Sequence, residues 1–213
     1  MTTDYRVDRI RMGEFNIPLR LRNLRLGQDA GESKESLKFI KHLSDHYLTS
    51  KRELADFPPM SGIGRGLAYV GPPGSGKTTE AAKTLIEVYR THNLPVYFVT
   101  FAGYIAMRKE QWGLQNKDAY LDRWVAIQET INSVRSTPVL LLDDVGKEMG
   151  GASDFAAKEL DLLLRQRHAD ALPTLITTNI PLSTWGETYN ASMGSFALEA
   201  FTRVIKTGED QRC

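Results

Sequence analysis

The stretch "GLAYVGPPGSGKTTEAAKTLIEVYR", Gly66 to Arg90, decides how the rest of the chain is read. Its first five residues form a short apolar run, as a buried strand does, and Gly71-Pro72-Pro73-Gly74-Ser75-Gly76-Lys77-Thr78 fits the phosphate-loop pattern without a mismatch. Glycine lets the backbone curl so that successive N–H groups converge on phosphate oxygens, and the helix starting at Gly76 adds its positive end. Lys77 is expected to reach the β- and γ-phosphates, and the Thr78 hydroxyl to sit on Mg²⁺. The loop from Gly71 to Thr78, together with Thr79, is the expected nucleotide-binding set. A glycine-rich turn can be merely structural; the strand before it and the helix after it argue for phosphate binding.

Working outward, strands and helices alternate. Ser33 is a candidate N-cap with Glu35 in the first turn, and Leu37, Ile40, Leu43 and Tyr47 recur at helical spacing to about residue 50. "PVYFVTF" reads as a second strand and "AGYIAMRKEQW" as a short helix. A longer helix runs from Asp118 to Arg135 and carries Leu121, Trp124, Val125, Ile127 and Ile131. "TPVLLLDD" is a third strand, residues 153–168 a helix with Leu160, Leu163 and Leu164 facing in, "PTLITTN" a fourth strand, and "RVIKT" a brief fifth. Alternation of this kind predicts an α/β fold with a parallel sheet sandwiched between helices, and the phosphate-loop pattern makes the expected fold that of a P-loop NTPase. Residues 1–25 form an irregular, arginine-rich segment, and 26–213 the expected catalytic domain.

Two strand ends carry further candidates. "VLLLDD" places Asp143 and Asp144 at the C-terminal end of a buried strand, outside which ligands bind in such sheets. Asp143 would hold Mg²⁺, and Asp144 would orient and polarise an attacking water. "LITTNIP" ends in Thr177, Thr178 and Asn179. The Asn179 carboxamide would hydrogen-bond the γ-phosphate and the lytic water, or it serves a turn, since Asn-Ile-Pro is also good turn chemistry.

Composition narrows the classes. The 213 residues suit one domain, and 41% hydrophobic with 25% charged residues permits a sizeable core. With 27 basic and 26 acidic residues the net charge is +1, so nucleic-acid binding has to come from a local patch. "MRKEQWGLQNK", with Arg108, Lys109, Trp112 and Lys117, is the candidate patch, an ordinary solvated helix being the alternative. The single cysteine, Cys213, forms no internal disulfide, and no stretch approaches the ~20 apolar residues that span a bilayer. The expectation is a soluble, cytoplasmic protein without membrane partners. His42 and His46 have i,i+4 spacing but no glutamate after His42 and no third ligand, which argues against a metal site. Met107, Trp112 and Trp124 read as core or interface residues.

Taken in order, these motifs resemble those of AAA+ ATPases, most of all the DnaC-like bacterial and phage helicase loaders, with the IstB transposition ATPases as close relatives. "NIPLRLRNLRL" resembles the group's opening segment, and "GPPGSGKTT", "VYFVTFAGYI", "LLLDDVGKE", "LLLRQRHADALPTLITTNIPLSTWG" and "FTRV" fall in its order. The resemblance implies Walker A at Lys77 and Thr78, Walker B at Asp143 and Asp144, sensor I at Asn179, and an arginine finger at Arg203. It implies ATP and Mg²⁺ as cofactors, an ATP-dependent homo-oligomer, single-stranded DNA and a replicative helicase as partners, and a core without the C-terminal helical lid. The alternatives are an IstB-like ATPase on duplex DNA, a kinase of small substrates, and a non-hydrolytic nucleotide-gated scaffold. Loaders usually carry a separate helicase-gripping domain before this core, for which about fifteen residues leave little room.

Overall fold

A computed structural model describes residues 12–26, 32–53, 64–114, 118–146 and 154–208, without the side chains of 44–53 and 118. Cys213, Lys117, His46 and Tyr47 are thus among the sequence candidates lying outside the described residues or side chains.

Five strands form one parallel sheet: β1 (Gly66–Val70), β2 (Val96–Thr100), β3 (Val139–Val145), β4 (Thr174–Thr178) and β5 (Phe201–Ile205). Their spatial order is β2-β3-β4-β1-β5. Helix α1 (Lys34–Glu53) precedes β1, and between the strands lie α2 (Lys77–His92), α3 (Phe101–Leu114), α4 (Leu121–Ser136), α5 (Asp154–Ala169), the short α6 (Trp185–Thr188) and α7 (Ala191–Ala200). The expected fold class is therefore found.

The apolar strand sequences follow from burial on both faces. Leu140, Leu142 and Ile176 join one core with Ile127, Ile131, Leu160, Leu163 and Leu164 from α4 and α5. Val139, Leu141 and Leu175 join the other with Leu85 and Ile86 from α2 and with Ile40 and Leu43 from α1. The Ser33 cap is formed, its Oγ accepting from the Ser36 N–H at 3.2 Å.

The segment before α1 packs into the second core through Met12, Ile17 and Leu21. It also covers the outer edge of β2: the Phe98 N–H donates to the Phe15 carbonyl at 3.0 Å, and Asn16 Nδ2 donates to the Phe98 carbonyl at 2.8 Å. An edge strand otherwise presents unpaired backbone groups to other chains.

Two helix expectations are revised. In α4 only Ile127, Ile131 and Val134 are buried, whereas Leu121 and Val125 are exposed. At about 100° per residue those two sit roughly 120° and 160° around the helix from Ile127, off the buried stripe. In α1 the buried stripe is Ser36, Ile40 and Leu43, leaving Leu37 exposed.

Arg167 of α5 is fully buried. Its guanidinium donates to the carbonyls of Val134, Arg135 and Thr137 at the end of α4, to the Pro173 carbonyl and to Thr174 Oγ1, at 2.9–3.1 Å. It thereby caps α4 and ties it to the start of β4. Arg167→Ala leaves these buried acceptors unpaired; since hydrogen bonds to charged groups contribute roughly 1.5–3 kcal/mol each, the variant should lose more than ~3 kcal/mol in urea denaturation.

Candidate functional site

The loop between β1 and α2 is held open by two glycines in the left-handed region, Gly74 at φ 77° and Gly76 at φ 80°. Any residue with a Cβ would be strained there. Gly76 is also the N-cap of α2 and makes no side-chain cap, so first-turn N–H groups stay available to an anion. Lys77 is buried beside the loop, its ammonium donating to the carbonyls of Gly71 at 2.8 Å and Pro72 at 2.6 Å. Ser75 Oγ donates to the Pro72 carbonyl at 2.9 Å, closing the turn.

The two acids sit at an irregularity between β3 and β4. Pairing passes from Leu142↔Ile176 to Val145↔Thr178, so Asp143 and Asp144 face Thr177 alone, a β-bulge. Asp144 takes φ 59°, rare for a residue with a side chain. Asp143 is buried, and its Oδ1 accepts from Thr78 Oγ1 at 2.8 Å and from Thr177 Oγ1 at 2.6 Å. The Asp144 N–H in turn donates to Thr177 Oγ1 at 2.9 Å.

A cavity of about 310 Å³ gathers these parts. Pro73, Gly74, Gly76, Lys77, Thr78 and Thr79 line it from the loop, and Asp144 and Asn179 from the strand ends. Gly71, Pro72 and Ser75 complete the loop behind them, and Asp143 lies beneath Thr78. Arg203 is not among the lining residues: it stands on edge strand β5, exposed, in register with Ala68, and makes no hydrogen bond or ion pair among the described residues.

Two lining residues were not anticipated, Arg20 and Leu21. The sequence marks Arg20 only as an arginine of the opening segment "NIPLRLRNLRL" that resembles the loaders' own, without placing it at the loop; burial of Ile17 and Leu21 in the core is what brings Arg20 there.

The donor set suits a hard cation held together with phosphate. Thr78 and Asp143 offer two oxygens 2.8 Å apart beside the loop, the small protein share that Mg²⁺ takes when phosphates and waters complete its shell. Among the described residues no cluster of three or more His, Cys, Asp and Glu forms a self-sufficient metal site.

A second buried network braces the first turn of α2. Glu80 Oε1 accepts from the Ser33 N–H at 2.9 Å and from Ser36 Oγ at 3.0 Å, while Oε2 accepts from the Lys206 ammonium at 2.6 Å. Lys206 follows β5, and its own N–H donates to the Val70 carbonyl just before the loop. Burial alone raises the Glu80 carboxyl, but the hydrogen bonds from Lys206 and Ser33 outweigh it and hold it below the usual carboxylate range. Nearby, burial pushes the Tyr69 hydroxyl well above the ordinary tyrosine range.

The candidate nucleic-acid patch on α3 is smaller than its sequence suggests. Arg108 is spent on buried Glu159, donating from Nε at 2.8 Å and Nη2 at 3.0 Å. Lys109 is exposed. Trp112 is 66% exposed, its ring 5.6 Å from that of Phe155. Trp124 is half-buried, and Met107 packs against the core.

No family model matches the chain. The PBSX phage-like element protein XkdC of Bacillus subtilis is 23% identical over 144 residues, 66% of this chain and 50% of that protein. The replicative helicase loader DnaI of the same organism is 29% identical over 145 residues, 67% of this chain and 40% of its own length. The chain thus spans half or less of the curated relatives it matches. Among solved structures, the DnaC helicase loader superposes with a TM-score of 0.66 at 23% identity, over 89% of this chain and 100% of that one. DnaI superposes at 0.63 and 19% identity, over 90% and 95% of the two chains. Aquifex aeolicus DnaA bound to AMPPCP gives 0.57 at 14%, over 86% and 49%. The resemblance carried by the motifs is borne out: the fold is the AAA+ P-loop fold of the DnaC and DnaI loaders. Among the described residues no helix is long and apolar enough to cross a membrane.

A depressed carboxyl favours the fold when ionised and loses that contribution as pH falls through its folded-state value. Glu80→Gln should therefore be less stable than the parent at neutral pH. Denaturation midpoints of the two should converge as pH drops below the ordinary glutamate value of about 4.3.

Proposed function

We propose that the chain is an ATPase of the helicase-loader kind, acting in DNA replication as an ATP-assembled oligomer. The observation that carries this reading is the convergence of Lys77, Thr78, Asp144 and Asn179, from three separate elements, on one cavity above Asp143. In this reading the loop N–H groups hold the phosphates, and Lys77 leaves the Gly71 and Pro72 carbonyls for the β- and γ-phosphates. Thr78 and Asp143 would hold Mg²⁺, which would neutralise phosphate charge. Asp144 takes the role of orienting and polarising the attacking water, and Asn179 bridges water and γ-phosphate. A pair of acids suited to water favours hydrolysis over transfer to a small substrate.

Arg203 enters from a neighbouring protomer. What supports this is its exposure on an open sheet edge, outside its own cavity and without a partner among the described residues. Single-stranded DNA is the nucleic-acid partner proposed for the exposed Trp112, whose ring offers a base a stacking surface beside Phe155, with Lys109 close by in sequence. A replicative helicase is the protein partner proposed from the likeness to loaders, and the cytoplasm the matching location.

Because the finger is shared, specific ATPase activity should rise with protein concentration. Arg203→Ala should keep ATP affinity and lose turnover by up to ~10³–10⁵-fold, the range of an arginine finger. Lys77→Ala should abolish binding, and Asp144→Asn should bind ATP without turning it over. Turnover that is independent of concentration and unaffected in Arg203→Ala contradicts the shared site; phosphorylated nucleosides among the products indicate a kinase instead.

A further inference from the structure

We infer that Thr177 is a positioning residue: its buried hydroxyl sets both acids of the site at once, through the Asp143 side chain and the Asp144 backbone. The inference rests on the ATPase reading and deepens it.

Consecutive residues of a regular strand point to opposite faces of the sheet. Asp143 and Asp144 nevertheless serve one site, Asp143 bonding Thr78 of the loop and Asp144 lining the cavity. The bulge makes this possible by adding a residue to β3 opposite Thr177. It has two costs. Asp144 is held at φ 59°, a left-handed conformation that residues with side chains seldom adopt. The interruption of the ladder also leaves the Asp144 N–H in need of an acceptor.

Thr177 supplies that acceptor, and the directions of its bonds are fixed. A backbone N–H only donates, so Thr177 Oγ1 accepts from Asp144 at 2.9 Å. Its own proton then goes to Asp143 Oδ1 at 2.6 Å. The side chain is fully buried, and Thr177 pairs in register with Tyr69, on the sheet face that α2 covers. The hydroxyl is shielded from bulk solvent. It lies two residues before Asn179, so β4 sets the acids and the carboxamide together.

Valine matches the shape of threonine but lacks the hydroxyl, and serine keeps the hydroxyl. The test measures binding of a non-hydrolysable ATP analogue by calorimetry, with Mg²⁺ and with EDTA, beside ATP turnover and thermal melting. Loss of a group that orients a metal ligand typically costs 10–100-fold in metal affinity or activity, so Thr177→Val should lose about tenfold or more of the Mg²⁺-dependent gain in analogue binding and of turnover. Its binding in EDTA should stay close to that of the parent, and Thr177→Ser should recover both losses. If Thr177→Val melts too early to assay, Thr177→Ala is read in its place.

Equal Mg²⁺ dependence and turnover in parent and Thr177→Val overturn the inference. So does an equal loss in the valine and serine variants, which marks packing rather than hydroxyl chemistry. A parent that binds the analogue with an Mg²⁺ gain yet never hydrolyses ATP refutes the ATPase reading, and the Mg²⁺ gain then decides the role of Thr177. A parent with no Mg²⁺ gain overturns both.

Discussion

Two threonine hydroxyls meet on one oxygen of Asp143, and the geometry of the site depends on that meeting. Thr78 arrives from the first turn of α2, Thr177 from β4, and the carboxylate from the end of β3. A carboxylate buried at a sheet end is costly unless it is hydrogen-bonded, and each of the two hydroxyls offsets part of that cost. The same bonds hold the phosphate loop, the acid-bearing strand and the Asn179 strand in one register. Building the site thus coincides with satisfying a buried charge.

The sheet supplies the rest. β1 lies between β4 and β5, so the loop that follows it emerges beside Asn179 on one side and Lys206 on the other. The ion pair of Lys206 with Glu80, and the bonds from Ser33 and Ser36, fix the first turn of α2 from strand β5 and helix α1. Edge strand β5 carries the exposed Arg203, and Lys206, the residue that follows the strand, reaches the first turn of α2. An approach of a neighbouring protomer to that edge therefore bears on the strand that braces the loop.

The sequence was most legible where chemistry constrains spacing. The phosphate loop dictates residue types at fixed intervals, and the apolar runs ending in Asp143 and Asn179 follow from strands buried on both faces. Strand order was not legible, because it arises from pairing between distant segments. Helix faces were legible only where the apolar stripe is narrow: α5 matched expectation, while α4 carries more apolar residues than its buried stripe can use. Arg108 and Arg167 show the same limit for charge. Neither position distinguishes a solvated arginine from one locked in an ion pair or a helix cap; only the partners Glu159 and the α4 carbonyls do. Thr177 hides for a related reason, since a threonine in a strand is ordinary and its two partners lie across the bulge.

The most direct measurement is a crystal structure of the protein with a non-hydrolysable ATP analogue and Mg²⁺. The account predicts triphosphate density along the loop, the Lys77 ammonium moved from the Gly71 and Pro72 carbonyls onto phosphate oxygens, and a metal beside Thr78 and Asp143, with an arginine of an adjacent protomer facing the γ-phosphate. A triphosphate bound away from the loop, with Lys77 still on its two carbonyls, contradicts it.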